Sequence, residues 1–155
     1  MFINSDFSDL LRLLGANDVR YLVVGGYAVV QYAEPRYTKD LDVWIRADAD
    51  NAKAIFKALR EFGAPLSGLT EADFATEGYF YQMGVPPVRI DILMGIPGVK
   101  FDEAWQRRFE TDFDGLMVSF ISKQDLIDAE SLSSAAKQAP KRLLVRRKAV
   151  KAKRE

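Results

Sequence analysis

The sequence Val23-Val-Gly-Gly-Tyr-Ala28, followed by Arg36-Tyr-Thr-Lys-Asp-Leu-Asp-Val43, decides the fold. In the first stretch an apolar run ends at a glycine pair and continues as a short helical pattern, which predicts a strand, a tight turn and a helix. The second stretch alternates polar and apolar residues, which predicts a strand with one apolar face. Asp40 and Asp42 would then project from the same face, about 6–7 Å apart along the strand.

A third acid interrupts the apolar stretch Val88-Arg-Ile-Asp-Ile-Leu-Met94, which also predicts a strand. A buried carboxylate without a partner is costly, so Asp40, Asp42 and Asp91 converging on one face would need a cation to neutralise them. Ligands that are all oxygen suit Mg²⁺ or Mn²⁺, which use few carboxylates and leave room for the phosphates of a substrate. The three acids are therefore the candidate catalytic and metal-binding residues.

The glycine pair complements these acids. Gly25 and Gly26 end a predicted strand and begin a predicted helix. The missing Cβ atoms would let backbone N–H groups approach a triphosphate, and the N-terminus of a helix favours anions. Phosphates held by a metal beside a glycine turn indicate phosphoryl or nucleotidyl transfer. Arg36, Lys39 and Arg89 are the candidate side chains for binding phosphate.

The composition excludes several kinds of chemistry. The chain has 155 residues with neither cysteine nor histidine, so histidine general bases, thiolate zinc sites and cysteine nucleophiles are ruled out. We find no apolar run long enough to cross a bilayer, and the N-terminus lacks the basic region of a signal peptide. We therefore expect a cytoplasmic protein that does not enter a membrane.

The order of predicted elements indicates a mixed fold. Helices and strands alternate as α-β-α-β-α-β-β-α-β-α, with a helix over 49–62 that begins after Asp48 and ends at Gly63. This order predicts an α/β (α+β) domain over residues 1–136, built on a mixed sheet with helices packed against it.

The charge is unevenly distributed along the chain. The net charge is zero, but residues 137–155 hold nine of the 22 basic residues and one of the 22 acidic residues. The body of the chain is therefore about −8 and this segment about +8. We expect residues 137–155 to form a basic tail or helix, able to bind nucleic acid phosphates or simply to be solvated. The segment has no aromatic residue on which a base would stack.

These motifs resemble the nucleotidyltransferase fold of the DNA polymerase beta superfamily. Its pattern is a hydrophobic run with Gly-Gly or Gly-Ser, a spacer, Asp-x-Asp, and a third Asp on a later strand. The variant Arg36-x-Thr38-x-Asp-x-Asp looks most like small bacterial members akin to the AbiEii-type toxins of toxin–antitoxin systems. The resemblance covers about residues 5–128.

The resemblance implies a sheet with helices on one side and an acidic metal cleft on the other. It implies transfer of a nucleoside monophosphate from an NTP to a hydroxyl of RNA, a protein or a small molecule, with an antitoxin or other protein as a further partner. Gly25, Gly26 and the Arg36–Lys39 stretch, Thr38 included, would contact the NTP. Asp40 and Asp42 would hold both metals, and Asp91 would complete one site and help to deprotonate the acceptor.

Two other classes of function remain open. The sequence after Asp125 departs from the pattern of such members, which favours an inactive nucleotidyltransferase fold that binds NTP or a protein partner without catalysis. The second is an RNA-binding protein that uses the basic tail, in which the acids are incidental. The sequence does not choose the nucleotide, the acceptor or the oligomeric state.

Overall fold

The computed structural model describes residues 4–32, 40–85, 88–113, 115–136 and 141–143. Five α-helices are present in these ranges: α1 (Ser5–Ala16), α2 (Gly25–Tyr32), α3 (Ala49–Phe62), α4 (Phe101–Gln106) and α5 (Lys123–Ala136). Seven strands accompany them: β1 (Tyr21–Val24), β2 (Asp40–Ile45), β3 (Tyr79–Val85), β4 (Val88–Leu93), β5 (Phe109–Phe113), β6 (Leu116–Phe120) and β7 (Lys141–Leu143). The mixed α and β class predicted from the sequence is confirmed.

All seven strands belong to one mixed sheet with the order β5-β6-β1-β2-β4-β3-β7. The central strands set the geometry of the candidate site. β1 is antiparallel to β2, with Val24 opposite Asp42, whereas β2 is parallel to β4. Gly25 continues from the C-terminal end of β1 into α2. This end of β1 therefore lies beside the N-terminal ends of β2 and β4.

Local sequence signals explain the helix boundaries. The Asp48 side chain accepts a hydrogen bond from the Asn51 N–H at the start of α3, and Gly63 ends that helix with a φ of 93°. At α1 the cap is Asn4, whose side chain accepts from the Asp6 N–H. At the start of α5 the Ser122 hydroxyl accepts a hydrogen bond from the Asp125 N–H.

The core lies between the sheet and the long helices. Its fully buried residues include Leu10 and Leu14 of α1, Ile55 and Phe62 of α3, and Val43 of β2. Burying each such side chain stabilises the fold by roughly 1.5–3 kcal/mol. On the face of β2 that carries its acids, Trp44 packs edge-on against Phe101 of α4, with ring centroids 5.0 Å apart. This packing leaves the other end of β2, near Asp40, for chemistry.

Two strands differ from the sequence-based expectation. β5 was not predicted; it is an edge strand with mostly exposed residues, and only two of its five residues, Phe109 and Phe113, are apolar. β7 lies within the segment expected to form a basic tail or helix, yet its three residues pair in parallel with Tyr79–Tyr81 of β3. The outer edge of β3 offers unpaired backbone groups, which a passing chain satisfies by forming a strand. Residues 137–140 and 144–155 lie outside the described ranges.

A search of the described helices for one that is long and apolar enough to span a membrane finds none.

Candidate active site

The acids predicted from the sequence lie on two adjacent parallel strands. In the register of β2 and β4, Asp42 is opposite Asp91 and Asp40 is opposite Arg89. Side chains two residues apart on a strand point to the same face, and so do neighbours in register. The three carboxylates and the guanidinium of Arg89 therefore lie on one face of the sheet, near the C-terminal end of β1.

Gly25 lies directly against Asp42. Its φ is 69°, a left-handed conformation that residues with a side chain rarely adopt. A Cβ added to residue 25 would overlap the Asp42 Oδ2 atom and would lie 3.0 Å from Asp42 Cγ. Glycine is required here both by the backbone and by the carboxylate, so the turn brings the backbone at the start of α2 against the acids.

Asp42 and Asp91 form a close, mutually perturbed pair. Burial raises the pKa of Asp42 to about 7, with further contributions from the charge of Asp91 and from a hydrogen bond between the two side chains. Burial also raises the pKa of Asp91, opposed by a hydrogen bond with Gln82 and by the charge of Arg89. Both shifts have the same cause, since two acids in a desolvated place disfavour the charged form. The pair therefore favours a bound cation or a shared proton.

Arg89 and Asp40 form an ion pair at the edge of this site. The Nη2 atom of Arg89 donates to Oδ2 of Asp40 at 3.0 Å, and both side chains are about one-third exposed. The Nε atom of Arg89 is buried and has no hydrogen-bond partner within the described ranges. Asp40 is thus held by an arginine, whereas Asp42 faces the like charge of Asp91.

The donor set fits a divalent cation in part. The Oδ1 atom of Asp91 is buried and has no hydrogen-bond partner among the residues that the structure describes. A desolvated carboxylate oxygen without a donor is the kind of ligand that Mg²⁺ or Mn²⁺ takes. However, no group of three or more acidic side chains within these ranges is already arranged to hold a metal. Asp42 and Asp91 therefore supply two ready ligands, and Asp40 stands beside them in its ion pair.

The other predicted site residues have different outcomes. Gly26 lies in the first turn of α2, next to Gly25, and is partly exposed. Arg36, Thr38 and Lys39 lie outside the described residues, so their predicted contacts with NTP stay predictions.

Gln82 is a site residue that the sequence analysis missed. It lies in β3, opposite Asp91 in the antiparallel register of β3 and β4, and its side chain hydrogen-bonds the Asp91 carboxylate. The signal was a polar residue within the apolar run Tyr79-Phe-Tyr-Gln-Met83, but its meaning depends on which strand lies beside it.

Two surface cavities, of about 310 and 370 Å³, are not lined by Asp40, Asp42 or Asp91. Both are lined by Asp18, Asp50 and Ala54. In the first, the buried side chain of Asn51 bonds the backbone of Arg20 and Arg46, so it connects α3 to the sheet. The polar groups of this region serve the fold, and the candidate chemistry belongs to the acidic face.

Comparison with known proteins supports the fold. No protein-family model matches the sequence, and no curated protein matches it. Among solved structures, the chain is similar to TM1012 of Thermotoga maritima, a proposed nucleotidyltransferase, with a TM-score of 0.59, 13% sequence identity and coverage of 88% of this chain and 89% of the other. It also matches the lincosamide antibiotic adenylyltransferase LnuA, solved with lincomycin bound, with a TM-score of 0.48, 16% identity and coverage of 81% and 84%. With the topology described above, the first of these similarities shows that the chain has a nucleotidyltransferase-like fold.

Proposed function

We propose that the protein is a metal-dependent nucleotidyltransferase that moves a nucleoside monophosphate from an NTP to a hydroxyl acceptor. The observation that carries this proposal is the contact of Gly25 with Asp42, at the point where Asp42 and Asp91 share a face. It brings a desolvated acidic pair next to the N-terminus of α2, where free backbone N–H groups favour phosphate. Few structural purposes require a helix N-terminus in contact with one of two neighbouring, partly buried carboxylates.

The proposed roles follow from these positions. Asp42 and Asp91 hold Mg²⁺ or Mn²⁺, and Asp40 joins them. The bound cation supplies positive charge to the phosphates of the NTP. The backbone of Gly25 and Gly26 contacts the triphosphate, with the side chains of Arg36, Thr38, Lys39 and Arg89 as the further phosphate ligands.

The proposed transfer is a displacement at the α-phosphorus of the NTP. The acceptor oxygen forms a bond to the α-phosphorus, and the bond from that phosphorus to the bridging oxygen of pyrophosphate breaks. Pyrophosphate leaves with the electron pair, and the hydroxyl proton passes to Asp91. A carboxylate within hydrogen-bond reach of the acceptor is the general base that a chain without histidine has available.

The acceptor and the biological partner belong to the same proposal. The acceptor is a hydroxyl of an RNA end, a protein or a small molecule, and the basic residues of 137–155 favour RNA through contacts with phosphate. The resemblance to AbiEii-type proteins supports a role as a toxin–antitoxin component, with a second protein as its antitoxin.

The direct test is incubation of the protein and Mg²⁺ with each α-labelled NTP and with total RNA, total protein or a small-molecule mixture. We expect label from one NTP to appear in one acceptor class, and Asp42→Asn and Asp91→Asn to abolish it. Asp102→Asn is the matched control because its carboxylate is 68% exposed and pairs with Arg46 at the other end of β2. Label that persists in Asp42→Asn and Asp91→Asn would contradict the proposal.

A second candidate function is an NTP-binding module without catalysis. The observation that favours it is the ion pair of Asp40 with Arg89, which leaves the described acids without a preformed three-carboxylate group. Equilibrium binding of an NTP, with no label transferred to any acceptor class, would support this candidate over the first.

A further inference from the structure

We infer that Arg89 is the resident counter-cation of the acidic face and that a divalent cation displaces it from Asp40, which frees the guanidinium to bind phosphate. The inference rests on the proposed function, because it assigns a two-state role to a residue of that site. It makes Arg89 a competitor of the metal at Asp40 that binds phosphate once displaced, rather than a fixed phosphate ligand.

The geometry makes the two states exclusive at the Oδ2 atom of Asp40. The Oδ2 atom of Asp40 accepts from Arg89 Nη2 at 3.0 Å, so the guanidinium occupies the place from which a metal would approach that oxygen. Mg²⁺ needs its ligand oxygens at about 2.0–2.1 Å in near-octahedral geometry. A guanidinium and a divalent cation on one carboxylate also repel each other strongly where water is scarce. Oδ2 of Asp40 therefore binds one or the other.

The bonding of Arg89 is incomplete, which makes the exchange feasible. A guanidinium has five N–H donors, and the buried Nε of Arg89 has no hydrogen-bond partner in the described part of the chain. Arg46 shows the contrast, because its Nε, Nη1 and Nη2 atoms all donate to carboxylates of Asp48 and Asp102. All three guanidinium nitrogens of Arg46 are thus hydrogen-bonded, whereas the Nε of Arg89 has no acceptor among the described residues.

The charges around Arg89 explain why its guanidinium lies beside Asp40, Asp42 and Asp91 in the metal-free protein. Asp40, Asp42 and Asp91 lie together, and the positive charge of Arg89 stabilises the charged forms of Asp42 and Asp91. Removing it leaves three carboxylates without a counter-charge from β4, which disfavours the metal-free fold and favours a divalent cation. The same substitution should therefore lower stability in EDTA and tighten metal binding.

The first experiment titrates Mn²⁺ by electron paramagnetic resonance into wild type, Arg89→Gln and Arg46→Gln, and measures thermal unfolding of each in EDTA. Arg46→Gln is matched because the Arg46 side chain is 39% exposed, against 36% for Arg89, and begins about 20 Å away along β2. We expect Arg89→Gln to bind Mn²⁺ roughly three- to tenfold tighter and to unfold at lower temperature in EDTA. We expect Arg46→Gln to leave Mn²⁺ affinity unchanged.

A second measurement uses wild type alone, in case Arg89→Gln does not fold. Hydrogen exchange of the Arg89 Nε–H is followed by NMR in EDTA and with saturating Mg²⁺, with the signal assigned by its loss in Arg89→Lys. We expect slow exchange in EDTA, because this atom is buried, and exchange at least tenfold faster once Mg²⁺ releases the side chain. Unchanged exchange under saturating Mg²⁺ would overturn the inference.

The outcomes separate this inference from the proposed function. Mn²⁺ affinity that is equal or weaker in Arg89→Gln, or absent from every variant, overturns the inference, whatever the transfer assay shows. Tighter Mn²⁺ binding in Arg89→Gln without any nucleotidyl transfer by wild type supports the inference and removes the proposed reaction. Arg89→Gln that weakens NTP binding and leaves Mn²⁺ affinity unchanged identifies a fixed phosphate ligand and overturns the exchange.

Discussion

The carboxylate of Asp42 can pack against residue 25 only because residue 25 is a glycine. The carboxylate of Asp42 lies where a Cβ of residue 25 would be, and the φ of 69° is itself unfavourable for any residue with a side chain. The turn that ends β1 therefore packs closely against Asp42 of β2, across strands that pair in antiparallel register.

Gly25→Ala should therefore destabilise the protein and abolish nucleotidyl transfer. We expect a loss of about 2 kcal/mol or more in the free energy of unfolding, from a left-handed alanine and the overlap with Asp42. Urea unfolding measures it. Gly115→Ala is the control for φ alone, because residue 115 has a φ of 87° and open space around its Cβ position. Equal losses in the two variants would show that the contact with Asp42 costs nothing.

Asp42→Asn should leave the melting temperature in EDTA equal or higher, although transfer is lost. The charged Asp42 is disfavoured by burial and by Asp91, so removing that charge relieves roughly 1 kcal/mol or more of repulsion. For a chain of this size each 1 kcal/mol corresponds to roughly 2–4 °C. Differential scanning calorimetry with Asp102→Asn as control measures the change. A large drop confined to Asp42→Asn would mark this acid as structural.

The contribution of Asp42 to the stability of the metal-free protein should fall as pH rises from about 4 to about 7. The folded-state pKa of Asp42 is raised from 3.8 to about 7, so the folded state binds a proton that the unfolded state has already released in this range. Its contribution is complete below the unfolded-state pKa and is lost as pH rises through the folded-state pKa. Urea midpoints in EDTA at pH 5 and pH 8 measure the loss, which should be smaller in Asp42→Asn. The same dependence in both proteins would show that Asp42 is not its source.

Gln82→Leu should weaken Mn²⁺ binding while the fold remains intact. The amide of Gln82 hydrogen-bonds the Asp91 carboxylate, and groups that orient a metal ligand typically contribute about 10–100-fold in affinity. Electron paramagnetic resonance titration measures the affinity, and circular dichroism checks the fold. Gln124→Leu is the control, since Gln124 is exposed on α5. Unchanged affinity in Gln82→Leu would remove the orienting role.

Truncation after Leu143 should reduce RNA binding without removing β7 from the sheet. The deleted residues 144–155 include six basic residues and one acidic residue, so their contacts with RNA are electrostatic and blind to sequence. Binding by the full chain should fall steeply between 50 and 200 mM salt. Fluorescence anisotropy with a labelled RNA measures both effects. RNA affinity and salt dependence that survive truncation unchanged would assign RNA recognition to the body of the chain.

The sequence alone determined the elements whose signals are local. Asp48 and Gly63 delimit α3 because a side-chain cap and a left-handed residue act within a few residues of the helix ends. Asp40 and Asp42 were assigned to one face because the period of a strand is two residues. The glycine turn was evident because residues with a side chain rarely adopt its backbone conformation.

Only the tertiary structure decided which of these side chains meet. The pairs Asp42 with Asp91, Asp40 with Arg89, and Gln82 with Asp91 depend on the order and register of β2, β4 and β3. Register between strands distant in sequence is set by packing of the whole sheet, and a shift of one residue would turn every side chain to the other face. β5 was missed for a related reason: only two of its five residues, Phe109 and Phe113, are apolar, and it is a strand because β6 pairs with it.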